Sequence, residues 1–442
     1  MVAPSTRLAR RLGLADAVTV GLGAMVGAGV FAAIGPAAGA AGGGLLIGLA
    51  LAAVVALCNA SSSARLAARY PESGGTYVYG RERLGDVWGY LAGWGFVVGK
   101  TASCAAMALT FGAYAAPSWP RPVAVAAVLS LTALNTRGVH KTARLTRVLV
   151  AIVLVSLATM VAASLIGADA SASRVGPVLA GGWAGILESA GLLFFAFAGY
   201  ARIATLGEEV IDPVRTIPRA IAVALGITLV VYAAVASAAL AAVGPAALAA
   251  SATPLATAVQ AGSLAWLSPA VRLGGTVASL GVLLSLLVGV SRTTFAMAAR
   301  GDLPAWLDRV HPLHQVPHRA ELAVGALVVA VVTVADLRGA IGFSSFAVLT
   351  YYGVANTAAF TLPHRRRRER AVPVAGALGC GLLALTLPTA SVAVGVGVLA
   401  MGLAVRQVRS ITARGEGPRR RRARRGAGAR GHRLGGRRPP RS

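Results

Sequence analysis

Apolar runs of roughly twenty residues recur from one end of the chain to the other, separated by short polar connections. That length is what a helix needs to cross a hydrocarbon core. Twelve such segments are predicted, near 16–37, 44–68, 87–115, 121–136, 146–167, 184–207, 218–243, 271–298, 320–336, 342–362, 372–388 and 390–406. The last two are short and close together, so eleven spans is the alternative. A β-barrel would instead show short alternating segments. The pattern predicts an all-α membrane protein with about twelve transmembrane helices.

Composition sharpens this. Of 442 residues, 56% are hydrophobic and 13% charged, more apolar than a soluble protein of this size needs. The net charge of +27 is concentrated. Residues 406–442 hold fourteen arginines and one acid, Glu416, amid Gly and Pro. Such a tail cannot bury a core, which predicts disorder, with anionic lipid headgroups as its favoured partner and no specific nucleic acid. The three cysteines, Cys58, Cys104 and Cys380, lie in apolar segments and show no metal or disulfide spacing.

Orientation follows from the Lys/Arg bias. One set of connections carries Arg65, Arg69, Arg81 and Arg83, then Arg137, Lys141, Arg144 and Arg147, then Arg215 and Arg219, then Arg292, Arg300, Arg309 and Arg319, and the run at 364–370. The opposite set carries Arg121, Arg174 and Arg338. Both termini are basic, so both are expected in the cytoplasm of a multi-pass cell-membrane protein.

The first segment reads VGLGAMVGAGVFAAIG at 20–35, with five glycines in a stretch that must be helical to cross lipid. Interior glycine costs a helix about 1 kcal/mol relative to Ala. Irregular backbone at membrane depth survives only where it faces a protein cavity. The GAG triplet at 27–29 lies near mid-span, and FAGY at 197–200 lies near the middle of the sixth segment. Paired interruptions in corresponding helices of two halves point to a transporter binding site, with free N–H groups for an anion and freed carbonyls for a cation. Gly21 and Gly23 read more simply as packing positions.

Four stretches, in order over about 290 residues, carry a family resemblance: GLGAMVGAGVFAAIGP at 21–36, YPESGGTYVYGRERLGDVWGYLAGW at 70–94, FFAFAGYARIATLGEEVIDPVRTIPRAI at 194–221 and SRTTFAMAARGDLPAWLDRVHP at 291–312. The chain resembles the amino acid–polyamine–organocation permeases, most of all bacterial relatives of cationic amino acid transporters. The resemblance implies a leucine-transporter-type fold, with two inverted five-helix repeats (15–170 and 171–363) and two additional helices (364–406). A cytoplasmic segment (1–14) precedes them and the arginine-rich tail (407–442) follows.

It also implies a secondary-active amino acid transporter working by alternating access, with protons as the candidate coupling ion and no cofactor or metal. The substrate carboxylate is expected on backbone N–H groups around Gly27, Ala28 and Gly29. Its ammonium is expected on carbonyls near Met25, Val26 and 195–198. Phe195 and Ala198 match positions that contact the substrate side chain and gate, with Phe197 and Gly199 beside them. Two rival readings remain: a transporter-fold sensor or scaffold whose basic tail binds a partner, and a polyamine or organic-cation transporter. No triad, metal cluster or phosphate loop supports an enzyme.

The chain departs from the family in two places. Many relatives carry a lysine in the fifth helix, where this chain has Val153 or Leu154. Many carry an acid just after the sixth-helix break, where this chain has Ala201 followed by Arg202. Arg202 is a candidate contact for an acidic substrate side chain. The other deep cation is Lys100, one of two lysines in the chain. Twelve residues from Trp88, it lies about 18 Å along the helix. An ionisable group at that depth is a functional candidate, and Lys100 is the candidate coupling residue. The charges at Glu208, Glu209 and Asp212 read equally as an inner gate or a solvated helix end.

Overall fold

A computed structural model of the chain describes residues 12–70, 74–138, 143–167, 170–200, 203, 210–363 and 367–409. Arg202, Glu208, Glu209, the N-terminal arginines and the arginine-rich tail lie outside the described residues. Contacts divide the chain into Met1–Gly395 and Val396–Ser442. The first unit holds every residue of the candidate site. In the second, the described part continues one helix to Arg409.

The described residues are almost entirely helical. In chain order the helices are α1 (Leu14–Met25), α2 (Ala28–Ala41), α3 (Leu45–Arg69), α4 (Thr76–Leu84), α5 (Asp86–Ala115), α6 (Pro120–Thr136), α7 (Ala143–Ile166), α8 (Gly182–Phe197), α9 (Pro213–Ala250), α10 (Pro254–Gln260), α11 (Ser268–Ala299), α12 (His318–Val334), α13 (Leu337–Phe360), α14 (Arg367–Leu385) and α15 (Thr389–Arg409). No strand occurs among the described residues beyond one isolated bridge between Leu12 and Val210.

Seven helical stretches among the described residues are long and apolar enough to cross a membrane: Ala28–Arg69, Asp86–Ala115, Leu145–Ile166, Gly182–Tyr200, Pro213–Ala250, Ala265–Ala299 and Thr389–Arg409. The segments predicted at 121–136, 320–336, 342–362 and 372–388 fall on α6, α12, α13 and α14, which are shorter or more polar. That at 16–37 falls on two helices separated near its middle, and the described part of that at 184–207 is α-helical to Phe197 and turns 3-10 at Ala198–Tyr200. α9 breaks late, at Gly244, whose φ of 75° suits glycine.

Helix α5 is the centre of this packing. More of its apolar stretch is inside the protein than in any other of the seven. It lies against α11 on one side and α13 on the other. Small residues permit the approach: a Cβ on Gly99 would stand 2.8 Å from that of Ala347. Ser103 and Ser344 share a hydrogen bond at 2.6 Å across the same interface. In a solvent as apolar as the side chains themselves, such close packing and buried hydrogen bonds hold helices together.

Candidate functional site

Helix α1 stops at Met25 because the next two residues leave helical geometry. Val26 sits at φ −75°, ψ 45°, and Gly27 at φ −102°, ψ −144°. Helix α2 starts at Ala28. The interruption frees carbonyls at the end of α1 and N–H groups at the start of α2. The second interruption follows Phe197, where Ala198–Tyr200 tighten into a single 3-10 turn. The positions predicted from sequence, 27–29 and 197–200, are where these irregularities fall.

The two breaks meet backbone to backbone. A Cβ on Gly29 would stand 2.7 Å from Ala196 Cα, and one on Gly199 would stand 2.2 Å from the Ala24 carbonyl oxygen. A Cβ on Gly27 would reach Val282 of α11 at 2.4 Å. Gly21 and Gly23 are packing positions as expected, against Ile203 and Val150 respectively. Met25, Val26, Ala28, Phe197 and Ala198 are buried, whereas Gly29, Phe195 and Gly199 are partly exposed.

A tyrosine that the sequence reading passed over joins the breaks. The Tyr232 hydroxyl of α9 lies 2.5 Å from the Met25 carbonyl oxygen and 3.2 Å from that of Ala196. One freed oxygen from each broken helix therefore converges on a single donor. Tyr352 of α13 lies similarly at the second break, its hydroxyl 3.5 Å from the Ala198 carbonyl. Aromatic rings pack around both: Phe197 on Tyr232 at 5.3 Å, Phe194 and Tyr200 on Tyr352 at 5.9 and 5.2 Å, and Phe31 on Tyr114 at 5.5 Å. A buried phenol needs a partner for its hydroxyl. Tyr232 and Tyr352, each inside an apolar run, carried that signal in the sequence. A small apolar cavity beside the first break is lined by Val30, Ile34, Leu49, Leu193, Ala196 and Tyr232, with room for about one water molecule.

Lys100 is buried on α5, with 9% of its surface exposed. Among the described residues it makes no hydrogen bond or ion pair. Residues seven apart lie on one helical stripe, so Lys100 shares a stripe with Gly93 and Tyr114. Gly93 faces Met297 of α11, and Tyr114 lies against Gly275 of α11 and Phe31 of α2. The lysine therefore sits in height between two levels at which α5 meets α11. Val153, at the fifth-helix position where many relatives carry lysine, is buried at 2% exposure. Arg272, within the eighth apolar segment, donates to the Ala113 carbonyl at 3.2 Å. Among the described residues no group of three or more His, Cys, Asp or Glu side chains is placed to hold a metal ion.

Comparison with known proteins identifies the family of the chain. The family model described as "Amino acid permease" matches residues 12–411. An uncharacterized transporter of Mycobacterium tuberculosis (strain ATCC 25618 / H37Rv) is 60% identical over 409 residues, covering 92% of this chain and 93% of that protein. The branched-chain amino acid permease BcaP of Bacillus subtilis is 25% identical over 344 residues, 72% of this chain and 74% of its own. Cationic amino acid transporter 4 of Homo sapiens is 28% identical over 394 residues, 83% of this chain and 62% of its own.

Proposed function

The chain belongs to the amino acid permease family, and on that premise we propose that it is a secondary-active amino acid transporter working by alternating access. It is a transporter of a multi-pass membrane family and not an enzyme. In this reading residues 15–170 and 171–363 form two inverted five-helix repeats, 364–406 adds two helices, and both termini are cytoplasmic.

The observation that carries the proposal is the convergence of Met25 and Ala196 carbonyls on the Tyr232 hydroxyl, at 2.5 and 3.2 Å. Two oxygens close enough to share one O–H are close enough to share one ammonium, which brings three donors. The free N–H groups of Ala28 and Gly29 at the start of α2 suit the carboxylate, aided by the helix dipole. The α-amino acid backbone is thus matched at both ends by main chain, leaving the side chain to set specificity.

Charge narrows that side chain. Residues 17–71, 87–115, 189–207, 213–250, 268–299 and 337–360 contain no Asp or Glu. The acids on the two broken helices, Asp16 and Glu188, lie toward their far ends and pair with Arg147 and Arg338, so no acid in these stretches is left to meet a cationic side chain at the breaks, while Lys100 adds a cation at depth. A cationic substrate would enter low dielectric unpaired, at a cost of several kcal/mol. The substrate class is neutral amino acids, in preference to polyamines or organic cations.

Lys100 is the coupling candidate. A lysine without a partner at mid-membrane is stable if it can lose its proton or meet a carboxylate, and a cycle that alternates those conditions moves protons with substrate. The test is uptake by proteoliposomes of labelled leucine, arginine and glutamate, with and without a pH gradient. Leucine accumulation driven by the gradient is expected, without arginine accumulation. Arginine uptake equal to leucine uptake refutes the charge argument, and no uptake of any amino acid refutes the transporter reading.

A further inference from the structure

Glu188 and Arg338 form an ion pair, with Arg338 Nη2 donating to Glu188 Oε1 at 2.6 Å. Glu188 lies in α8, ten residues before the second break. Arg338 is the second residue of α13. Both helices begin at the arginine-poor connections and run in the same direction across the protein. On α13, Arg338 to Tyr352 spans fourteen residues, about 21 Å, so α13 meets α8 near its start and again around the Tyr352 ring. Phe194 packs edge-on against Tyr352 at 5.9 Å, and Tyr200 packs on the same ring at 5.2 Å. Helix α13 therefore holds the second broken helix at its outer end, midway and at the break.

The outer contact differs in kind from the other two. The aromatic levels are buried, whereas the Arg338 and Glu188 side chains are 47% and 23% exposed. The pair is the least buried of these contacts, so it is the level that opens most easily. Neighbouring charges on this side have other uses. Arg121 donates to the Thr333 and Ala335 carbonyls, and Arg174 to that of Ala242. Asp336 caps α13 by accepting from the Gly339 N–H at 2.8 Å. That cap fixes the start of α13, so the reach from Arg338 to Glu188 crosses between helices.

We propose that Glu188 and Arg338 form the outer latch of the transport cycle. Paired, they hold α13 over the second broken helix on the arginine-poor side; separated, they let that side open toward the breaks. Both are positioning residues, acting through α8 and α13 on the breaks they do not touch. The inference rests on the alternating-access reading above.

The test measures the gap directly, in the full-length protein in lipid nanodiscs. Spin labels go at W183C and V334C, exposed positions near the same helix ends, with Cys58, Cys104 and Cys380 replaced by serine. E188Q removes the charge while keeping the shape, and R338A removes the cation. Each is expected to raise the population at the longer distance about two- to fivefold, the range an exposed pair commands. The charge-swapped E188R/R338E protein returns the distribution to that of the parent. Molar salt shifts the parent and leaves R338A unchanged. Identical distributions in parent, E188Q and R338A overturn the latch, as does a swap that restores nothing. Uptake of labelled leucine, arginine and glutamate is measured on the same variants. Moving distances without uptake of leucine, arginine or glutamate in the parent leave the ion pair standing as an outer latch and refute the transporter reading, while uptake with unmoved distances does the reverse.

Discussion

The hydroxyl of Tyr232 reaches the carbonyl oxygen of Met25 at 2.5 Å, at the point where the first helix loses its own hydrogen bonds. Tyr232→Phe keeps the ring against Phe197 and removes only the donor. Two buried carbonyls, of Met25 and Ala196, then lack their partner. A buried group left unsatisfied costs about 1–3 kcal/mol. Thermal unfolding of the purified mutant should show a loss of that size with normal membrane insertion. Added leucine should stabilise the mutant more than the parent, because the ammonium supplies the missing donors. A melting curve identical to the parent's rules out the clamp.

Gly29→Leu should abolish leucine binding while the protein still inserts. The carboxylate seat expected around Gly29 is what the family resemblance implies; the tightest constraint at that position is visible only in the packing. A Cβ at that position meets Ala196 Cα at 2.7 Å and its Cβ at 2.9 Å. Backbone cannot swing aside as a side-chain tip can, so the two broken helices must separate. Gly29→Ala is expected to fail in the same way to a smaller degree. Isothermal titration with leucine checks both, and parental affinity in a folded Gly29→Leu protein contradicts the prediction.

Much of the fold was legible because two physical signals are strong in one dimension. Apolar length fixes where helices can cross lipid, and glycine clusters mark where they weaken. The breaks after Met25 and Phe197 stand where GAG and FAGY placed them. Contacts between distant segments were not legible. Nothing local to Tyr232 names Met25, 207 residues away, as its partner. Nor does Glu188 announce Arg338, 150 residues on. The sequence reading treated Arg338 only as a topological charge and passed over Arg272, whose use by the Ala113 carbonyl depends on packing.

Lys100→Ala should separate binding from coupling. The side chain is buried on α5 and is unpaired among the described residues. Its removal leaves the main-chain ligands at the two breaks in place, so leucine binding should change less than about threefold, under 0.7 kcal/mol. Accumulation driven by a pH gradient should disappear, leaving exchange or downhill flux. Unchanged pH-driven accumulation in Lys100→Ala proteoliposomes removes the lysine from the coupling mechanism. Loss of binding without any change in pH dependence instead makes it a fixed charge that holds substrate.

The last prediction concerns α4, the short helix between α3 and α5. The second half of the chain grips it at three points. Tyr77 donates to Asp302 at 2.6 Å, and Arg81 donates to the Tyr77 hydroxyl at 2.8 Å and to Asp302 at 3.2 Å. The Tyr351 hydroxyl accepts from the Thr76 N–H at 3.1 Å, and Arg83 donates to the Thr361 carbonyl. Asp302 is the partly buried centre of the first grip, its side chain 8% exposed. Charge-assisted bonds of this kind contribute about 1.5–3 kcal/mol each. Asp302→Asn should therefore raise amide exchange across Thr76–Leu84 by at least tenfold, which about 1.4 kcal/mol produces. Exchange in the neighbouring α5 should hold steady. Tyr77→Phe combined with Asp302→Asn should cost less than the two separately, because they share one interaction. The same contact sets a pH limit. Burial, followed by the hydrogen bond to Asp302, pushes the Tyr77 phenol up to about 12 from its ordinary value near 10. The folded protein favours the protonated phenol, so this contribution is complete below pH 10 and is lost as pH rises toward 12. Tyr77→Phe should remove that part of the alkaline decline in melting temperature. A mutant that declines as steeply as the parent between pH 10 and 12, the window between the ordinary and raised values, shows that the grip on α4 does not depend on the phenol proton.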